Sequence, residues 1–411
     1  MMNDSFTIES STGWGLILSL GALWVLLGWH WGKKATSEEG FTLAGRKVGL
    51  ALGGATIMAT WVTSNTTMLA PVFALKFGLW GMLAYSTASF GLFMFALFMP
   101  RIRELLPDGV TAGDFFYLRF GKAGWTLFMV ITLVYSLSWL VSMAIAGGDL
   151  LEALAGIPYQ QGMSLILMVC ILYTLFGGMY AVIGTDFIQS LIILLGIVVI
   201  GFLVWGQVPL AKAHAHIVTH QPSLLLWVMP AALLAVFNNL LFGFGEVFHN
   251  NVWWSRAFAV RKEVGSRAFA LAGFLWFPVP IAAGFIALRV LKHPTRPENF
   301  RKVGAGVIFL VGGVTWLMAL PHWPIINVLF LSGPLVGSLI WPVIAGLFWE
   351  EINRSVALAG IVLGSLAGLF SYFWIGWFVA ALVGTGVSML FSLTARYIRP
   401  SSFPPLCSFK T

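Results

Sequence analysis

The feature that most constrains this chain is a succession of long apolar runs, separated by short polar segments. A helix needs on the order of 20 apolar residues to span a bilayer. Soluble domains carry roughly 25% charged residues, whereas this chain of 411 residues is 9% charged and 59% hydrophobic. Because a backbone in lipid has to satisfy its own hydrogen bonds, helices suit such runs. We therefore predict an all-α, polytopic membrane helix bundle.

The runs predict roughly twelve membrane helices and leave no room for a soluble domain. They fall at about 12–31, 50–70, 79–100, 124–147, 160–182, 184–206, 224–248, 267–291, 303–320, 325–348, 355–372 and 374–394. Residues 1–398 are thus expected to form one transmembrane domain, followed by a C-terminal tail at 399–411 that has no recognisable feature.

The placement of Lys and Arg explains the net charge of +8 without a nucleic-acid partner. Basic residues cluster after the first, third and seventh helices, and the alternate loops hold few. Such loops stay cytoplasmic, so the N-terminus is expected outside and the protein in the cell (inner) membrane. The alternation fails at 291–302, where four basic residues occupy a loop that is due outside: Lys292, Arg296, Arg301 and Lys302. Either one segment is re-entrant, or a helix is absent near 292–302.

The second apolar run contains a polar cluster near its middle, in IMATWVTSNTTMLAP at 57–71. Six polar residues lie within eight positions: Thr60, Thr63, Ser64, Asn65, Thr66 and Thr67. One interpretation is a broken helix, which a membrane tolerates where the freed backbone lines protein or a cavity, and which can hold a cation and a solute. The alternative is polar contact between packed helices. We predict non-helical backbone within 57–67.

A second polar interruption lies five helices later, in FNNLLFGFGEVFHNN. It contains two amides, two glycines and a carboxylate within an apolar run: Asn238, Asn239, Gly243, Gly245 and Glu246. Inverted five-helix repeats place a second break at this spacing, so non-helical backbone is expected within 238–246. For Glu246 alone, the alternative is a position at the cytoplasmic interface, paired with Arg256.

Asp186 and Gln189 follow a glycine pair in YTLFGGMYAVIGTDFIQSLIILLG and are expected at a tight cytoplasmic turn. An acid there could relay a cation along an exit path. Thr185 and Asp186 are also good N-cap residues, and both interpretations stay open.

The remaining polar residues predict no further metal, disulfide or catalytic site. The three histidines of HAHIVTH, at 214–220, could bind a metal, but a solvated loop explains them better. Cys170 and Cys407 lie far apart and indicate neither a disulfide framework nor a metal site. Because no Ser/His/Asp cluster, Walker motif or dinucleotide motif occurs, we expect no enzyme activity and no bound cofactor.

Three stretches together resemble the sodium/solute symporter family. They are FTLAGRKVGLALGGATIMATWVTSNT, the pattern GG.YAV..TD..Q, and GPLVGSLIWPVIAGLFWEEIN, and in order they cover about 41–372. Within the family, FALKFGLWGMLAYS and the region after NNVWWSRAFAVRK look most like the urea active transporter branch, with proline-type and other amino-acid symporters as alternatives.

The resemblance implies a leader helix, two inverted five-helix repeats and peripheral helices. Its first broken helix falls at 50–70 and its counterpart at 224–248. The family's sodium ligands fall on the backbone carbonyls of Ala59 and Val62. The solute-facing positions fall on Thr63, Ser64, Asn65, Thr66 and Asn239. Asp186 matches the acid of the family's TD..Q motif and is the candidate for the ion path.

One part of the family pattern is missing. The sodium site is completed by paired hydroxyls from the third helix of the second repeat, and no segment here matches that helix. The resemblance thus implies sodium-coupled symport of a small polar solute such as urea or an amino acid, with an incomplete second repeat and defective coupling. The alternative is a membrane solute sensor or a degenerate remnant that transports nothing.

Overall fold

The computed structural model describes residues 8–207, 209–226, 229–290, 315, 317–321 and 323–402. Its helices up to the gap after residue 290 are α1 (Ser10–Gly32), α2 (Glu38–Leu43), α3 (Leu50–Trp61), α4 (Ser64–Ser86), α5 (Phe90–Leu105), α6 (Ala112–Ala155), α7 (Tyr159–Gln207), α8 (Leu210–His220), α9 (Pro230–His249), α10 (Asn251–Ala259), α11 (Gly265–Trp276) and α12 (Pro278–Val290). Those after it are α13 (Ile325–Leu331), α14 (Gly333–Gly337), α15 (Ile340–Phe348), α16 (Arg354–Trp374) and α17 (Trp377–Ala395).

The helices confirm the predicted all-α membrane bundle. Within the described ranges, nine helical segments are long and apolar enough to cross a membrane, and the shorter apolar helices Leu50–Trp61 and Tyr159–Leu172 lie between them. The strands amount to β1 (Glu351–Ile352) and β2 (Ser401–Ser402), which pair antiparallel and tie the start of the predicted tail to the bundle. Residues 403–411 and most of the segment expected at 303–320 lie outside the described residues.

Three glycines interrupt the long helices α4, α6 and α7. Gly78, Gly121 and Gly178 have φ values of 60°, 67° and 54°, in the region that favours glycine. Gly78 and Gly121 lie where the hydropathy pattern places ends of helices. The third interruption was predicted near 183 and occurs at Gly178 instead, because the glycine rather than the edge of the apolar run sets the position of the turn.

The expectation of non-helical backbone within 238–246 is wrong. Helix α9 runs unbroken from Pro230 to His249, and the break follows at Asn250, where φ is −84° and ψ is 120°. The glycines serve close packing instead. A Cβ on Gly243 would overlap the carbonyl oxygen of Ala88, and one on Gly245 would overlap the backbone at Val336. Small residues at helix contacts let backbones approach closely where lipid offers no hydrophobic driving force.

Helix α3 lies at the centre of the bundle, between α7 and α11. Its residues from Gly53 to Ala59 are buried, so the end of α3 is enclosed by protein. The loop before α3 is joined to the end of α10 by a short parallel bridge between Val48 and Val260. The start of α3 is therefore tied to the end of α10, and the candidate site lies further along α3.

Candidate functional site

The helix expected to be broken is broken, at Val62 and Thr63. Helix α3 ends at Trp61, Val62 has φ −85° and ψ 103°, and Thr63 has φ −125° and ψ 177° before α4 begins at Ser64. The prediction of non-helical backbone within 57–67 is therefore confirmed. A break frees carbonyl groups at the end of one helix and N–H groups at the start of the next.

The hydroxyl of Thr66 satisfies one freed group on each side of the break. Its Oγ1 donates to the carbonyl oxygen of Trp61 at 3.0 Å and accepts from the backbone N–H of Thr63 at 3.3 Å. Thr66 is 1% exposed, so water cannot take over these bonds. Thr66 thus stabilises the shape of the break, and its hydroxyl is already engaged with the backbone.

Aromatic rings enclose the break. Trp61 packs between Trp253 of α10, with ring centroids 4.9 Å apart, and Trp276 of α11, at 5.4 Å. Trp276 also lies 6.1 Å from the ring of Tyr85. These contacts hold α3, α10 and α11 together at the level of the break.

Asn239 ties α9 to the backbone of α4. Its Nδ2 donates to the carbonyl oxygens of Ala84 at 2.7 Å and Tyr85 at 2.9 Å, and the residue is 2% exposed. The amide nitrogen therefore has partners for both of its protons and ties α9 to α4. Asn238, next to it, accepts from the backbone N–H of Ala381 at 3.0 Å.

A buried ionic network lies one to two turns before the break. Thr56 donates from Oγ1 to Oδ2 of Asp186, and Arg256 approaches the same oxygen with Nη2 at 3.2 Å. Arg256 also donates from Nε to Thr56 Oγ1 at 3.2 Å, and Thr60 Oγ1 lies 3.4 Å from Asp186 Oδ2. The network joins α3, α7 and α10.

Two sequence interpretations are corrected here. Asp186 and Thr185 do not cap a helix, because both lie inside α7, eight and seven residues after the interruption at Gly178, and Thr185 Oγ1 donates to the carbonyl of Ala181. Arg256 does not pair with Glu246. It pairs with Asp186, while Glu246 is 2% exposed and enclosed by protein.

The carbonyls assigned to sodium lie at the carboxyl end of α3. The oxygen of Ala59 accepts from the N–H of Val62 at 3.1 Å, and a carbonyl oxygen retains a second lone pair for an ion. Val62 lies in the break itself. Thr63 is half-buried beside it, whereas the side chains of Ser64 and Asn65 lie outside the described part of the structure.

The three histidines are exposed on α8, and the rings of His216 and His220 stack 4.1 Å apart. Within the described ranges, no group of three or more His, Cys, Asp or Glu residues is arranged to hold a metal ion. The histidines are exposed, but they lie on a helix, whereas a loop was expected.

Sequence reasoning missed Thr56 and the role of Arg256. Thr56 and Thr60 are four residues apart, so they lie on one face of α3, and this spacing was available as a signal. Arg256 is 70 residues from Asp186, and only the packing of α10 against α3 brings the two together.

Comparisons with known proteins match more than half of the chain to one family. The family model for the sodium:solute symporter family matches residues 41–270. A urea active transporter of Saccharomyces cerevisiae is 25% identical over 316 residues, which cover 71% of this chain and 43% of that protein. An osmoregulated proline transporter of Bacillus subtilis is 31% identical over 245 residues, covering 56% of this chain and 49% of that protein. The chain thus spans less than half the length of these relatives.

A solved structure supports the fold. A substrate-bound, outward-open Na+-coupled sialic acid symporter matches with a TM-score of 0.68 and 17% identity, over 95% of this chain and 99% of that one. The family match covers more than half of the chain and includes the break, the Asp186 network and α9. The chain belongs to the sodium:solute symporter family.

Proposed function

We propose that this protein carries a small polar solute, such as urea or an amino acid, across the cell (inner) membrane by secondary active, sodium-coupled symport. The observation that carries the proposal is the break at Val62 and Thr63 between two apolar helices. Transporters place such breaks at mid-membrane, where exposed peptide groups and helix ends bind ions and solutes. Alternating access would follow from different affinities for the solute in outward and inward states.

The solute would bind beside the start of α4. Thr63, Ser64 and Asn65 are the first polar residues after the break, and the amino end of a helix offers free N–H groups. Thr66 and Asn239 contribute by fixing the backbone around the solute, since their polar groups are engaged with carbonyl oxygens of the site's walls. The names of the relatives support urea and proline as the first solutes to test.

The sodium ion would bind to the carbonyl oxygens of Ala59 and Val62. Asp186 would then lie closer to the start of α3 than the sodium ion. Its carboxylate contacts the hydroxyls of Thr56 and Thr60, which supports its place on the ion path. Oxygen ligands of this kind suit a hard cation.

We further propose that coupling at this site is weak. A cation that leaves water needs several ligands, because its desolvation cost is large. The sequence offers two carbonyl oxygens at the break but no match to the helix that supplies paired hydroxyls in the family. The segment concerned, 291–314, lies outside the described residues.

We also propose a domain organisation and an orientation in the membrane. Residues 1–398 would form a single transmembrane transporter domain with the N-terminus outside, and 399–411 a tail. The basic loops support this orientation. Reaction of single cysteines with a membrane-impermeant reagent, placed at residue 9 and at exposed Lys262, tests it. A cysteine at residue 9 that reacts only in permeabilised cells would contradict it.

Equilibrium binding of radiolabelled urea and proline to the purified protein tests the solute site. We expect saturable binding of one of them and its loss in Asn65→Leu. Gln161→Leu is the matched control, because it also removes a side-chain amide, but from an exposed position far along the chain. Equal loss of binding and of folded yield in Asn65→Leu would mean that Asn65 is structural, and unchanged binding would remove it from the site.

A further inference from the structure

A second buried carboxyl lies away from the proposed ion path, at the joint between α9 and α10. Glu246 is 2% exposed. Its Oε1 accepts two hydrogen bonds, from Asn250 Nδ2 and Trp253 Nε1, both at 2.9 Å. Its Oε2 is buried and has no hydrogen-bond partner among the described residues. One oxygen of this α9 side chain thus binds the break and α10, and the other is unpaired among the described residues.

The charge of an ionised Glu246 would have no counter-ion in the described part of the chain. Arg256 is the nearest Arg or Lys along the chain, and its guanidinium is bound to Asp186 and Thr56. Of the basic groups on α4 and α5, which pack against α9, Lys76 is exposed beside the rings of Phe77 and Trp377, and Arg101 and Arg103 donate to the carbonyl oxygens of Leu347 and Phe258. On α6 the charged residues lie near the two ends of the helix, and Tyr135 between them supplies no positive charge, as is also true of Tyr85 on α4.

His249 and Tyr135 extend the cluster without supplying a charge partner. His249 is fully buried, and its Nδ1 lies 2.8 Å from the carbonyl oxygen of Gly245. The ring therefore donates from Nδ1 and leaves Nε2 as a lone-pair acceptor, which has no partner among the described residues. The ring of Tyr135 packs edge-on at 4.2 Å, and its hydroxyl is likewise unpaired in the described structure.

Burial of a carboxylate in this environment costs much more free energy than burial of a neutral carboxyl. Burial of an unpaired charge costs far more than burial of a neutral polar group. A protonated carboxyl keeps its carbonyl oxygen as the acceptor for Asn250 and Trp253 and carries the proton on the other oxygen. In the structure one carboxyl oxygen accepts two hydrogen bonds and the other has no partner among the described residues, which matches the protonated form.

We propose that Glu246 is an intramembrane proton-binding site, and that its proton holds the joint between α9 and α10 in the conformation seen here. Asn250 is the residue at the break and Trp253 lies one turn into α10, so both donors are on the far side of the joint. Release of the proton requires water or a base at Oε2. His249, one turn along α9, carries the acceptor on the same side of the helix. The proposal does not depend on the identity of the solute or on sodium coupling.

Infrared spectroscopy of the full-length protein in lipid tests the proposal directly. We expect the carbonyl stretching band of a protonated carboxylic acid at neutral pH, and its complete loss in Glu246→Gln. Glu104→Gln is the matched control, because Glu104 is an exposed carboxyl in a surface pair with Arg101. The control should keep the band. Loss of a carboxylate band in Glu246→Gln, with no change in the acid region, would overturn the proposal.

A second measurement avoids dependence on the folding of the variant. Wild-type protein labelled with 13C in glutamate carboxyls should show an isotope-shifted acid band at neutral pH, which disappears on alkaline titration together with a change in Trp fluorescence. Labelling of glutamate alone excludes Asp186 from the signal. An isotope-shifted carboxylate band alone at neutral pH would show that Glu246 is ionised and would refute the proposal.

Discussion

The substitution Asp186→Asn should destabilise the protein far more than its size suggests. Asp186 and Arg256 are 3.2 Å apart, with side chains 11% and 7% exposed. Removal of one partner from a buried pair leaves the other charge uncompensated, at a cost of about 3–5 kcal/mol. The pair between Arg46 and Glu39 is shorter, at 2.7 Å, but Glu39 is 57% exposed. An exposed pair contributes about 1 kcal/mol or less, so Glu39→Gln should cost little.

The assay is the free energy of unfolding of purified protein in mixed micelles, measured for Asp186→Asn, Arg256→Gln, the double variant and Glu39→Gln. Because the double variant removes both charges, its cost should be smaller than the sum of the two single costs. The reasoning is refuted if Asp186→Asn costs no more than Glu39→Gln, or if the two single costs add in the double variant.

The remaining predictions concern the break and the helix contacts. Thr66→Val should cost about 1–3 kcal/mol for each backbone group left unpaired, whereas Thr66→Ser keeps the hydroxyl and should cost less; equal unfolding free energies would contradict this. Gly243→Ala should lower the folded yield and the melting temperature because its Cβ would overlap the carbonyl of Ala88, whereas Gly386→Ala, which meets nothing within 4 Å, should be neutral. Asn65→Leu should lose solute binding at a near-normal folded yield, as judged by size-exclusion chromatography beside radioligand binding.

The broken first helix could be predicted from the sequence because its signal is local. A polar cluster in an apolar run has few uses in lipid, and the hydroxyl that satisfies the break, on Thr66, lies within the cluster itself. The glycines and amides of α9 gave a similar signal with a different outcome. Gly243 and Gly245 admit close helix packing as readily as unwinding, and a sequence does not show which neighbour approaches.

The ionic network could not be predicted, because its members are distant in sequence. Asp186 stood out as an intramembrane acid, but the choice between Arg256 and other partners depends on how α10 packs against α3 and α7. Glu246 shows the converse. It is ten residues from Arg256, and proximity along the chain suggested a pair that the fold does not make, because Arg256 faces Asp186 instead.

Uptake of radiolabelled urea and proline into proteoliposomes tests the proposed function most directly, with sodium either at equal concentration on both sides or in an inward gradient. We predict saturable uptake of one solute, its loss in Asn65→Leu, and only a small stimulation by the sodium gradient. A protein that binds the solute but shows no saturable uptake under either condition would be a sensor rather than a carrier, and this result would contradict the proposal. Strong stimulation by the sodium gradient would show instead that the ion site is complete.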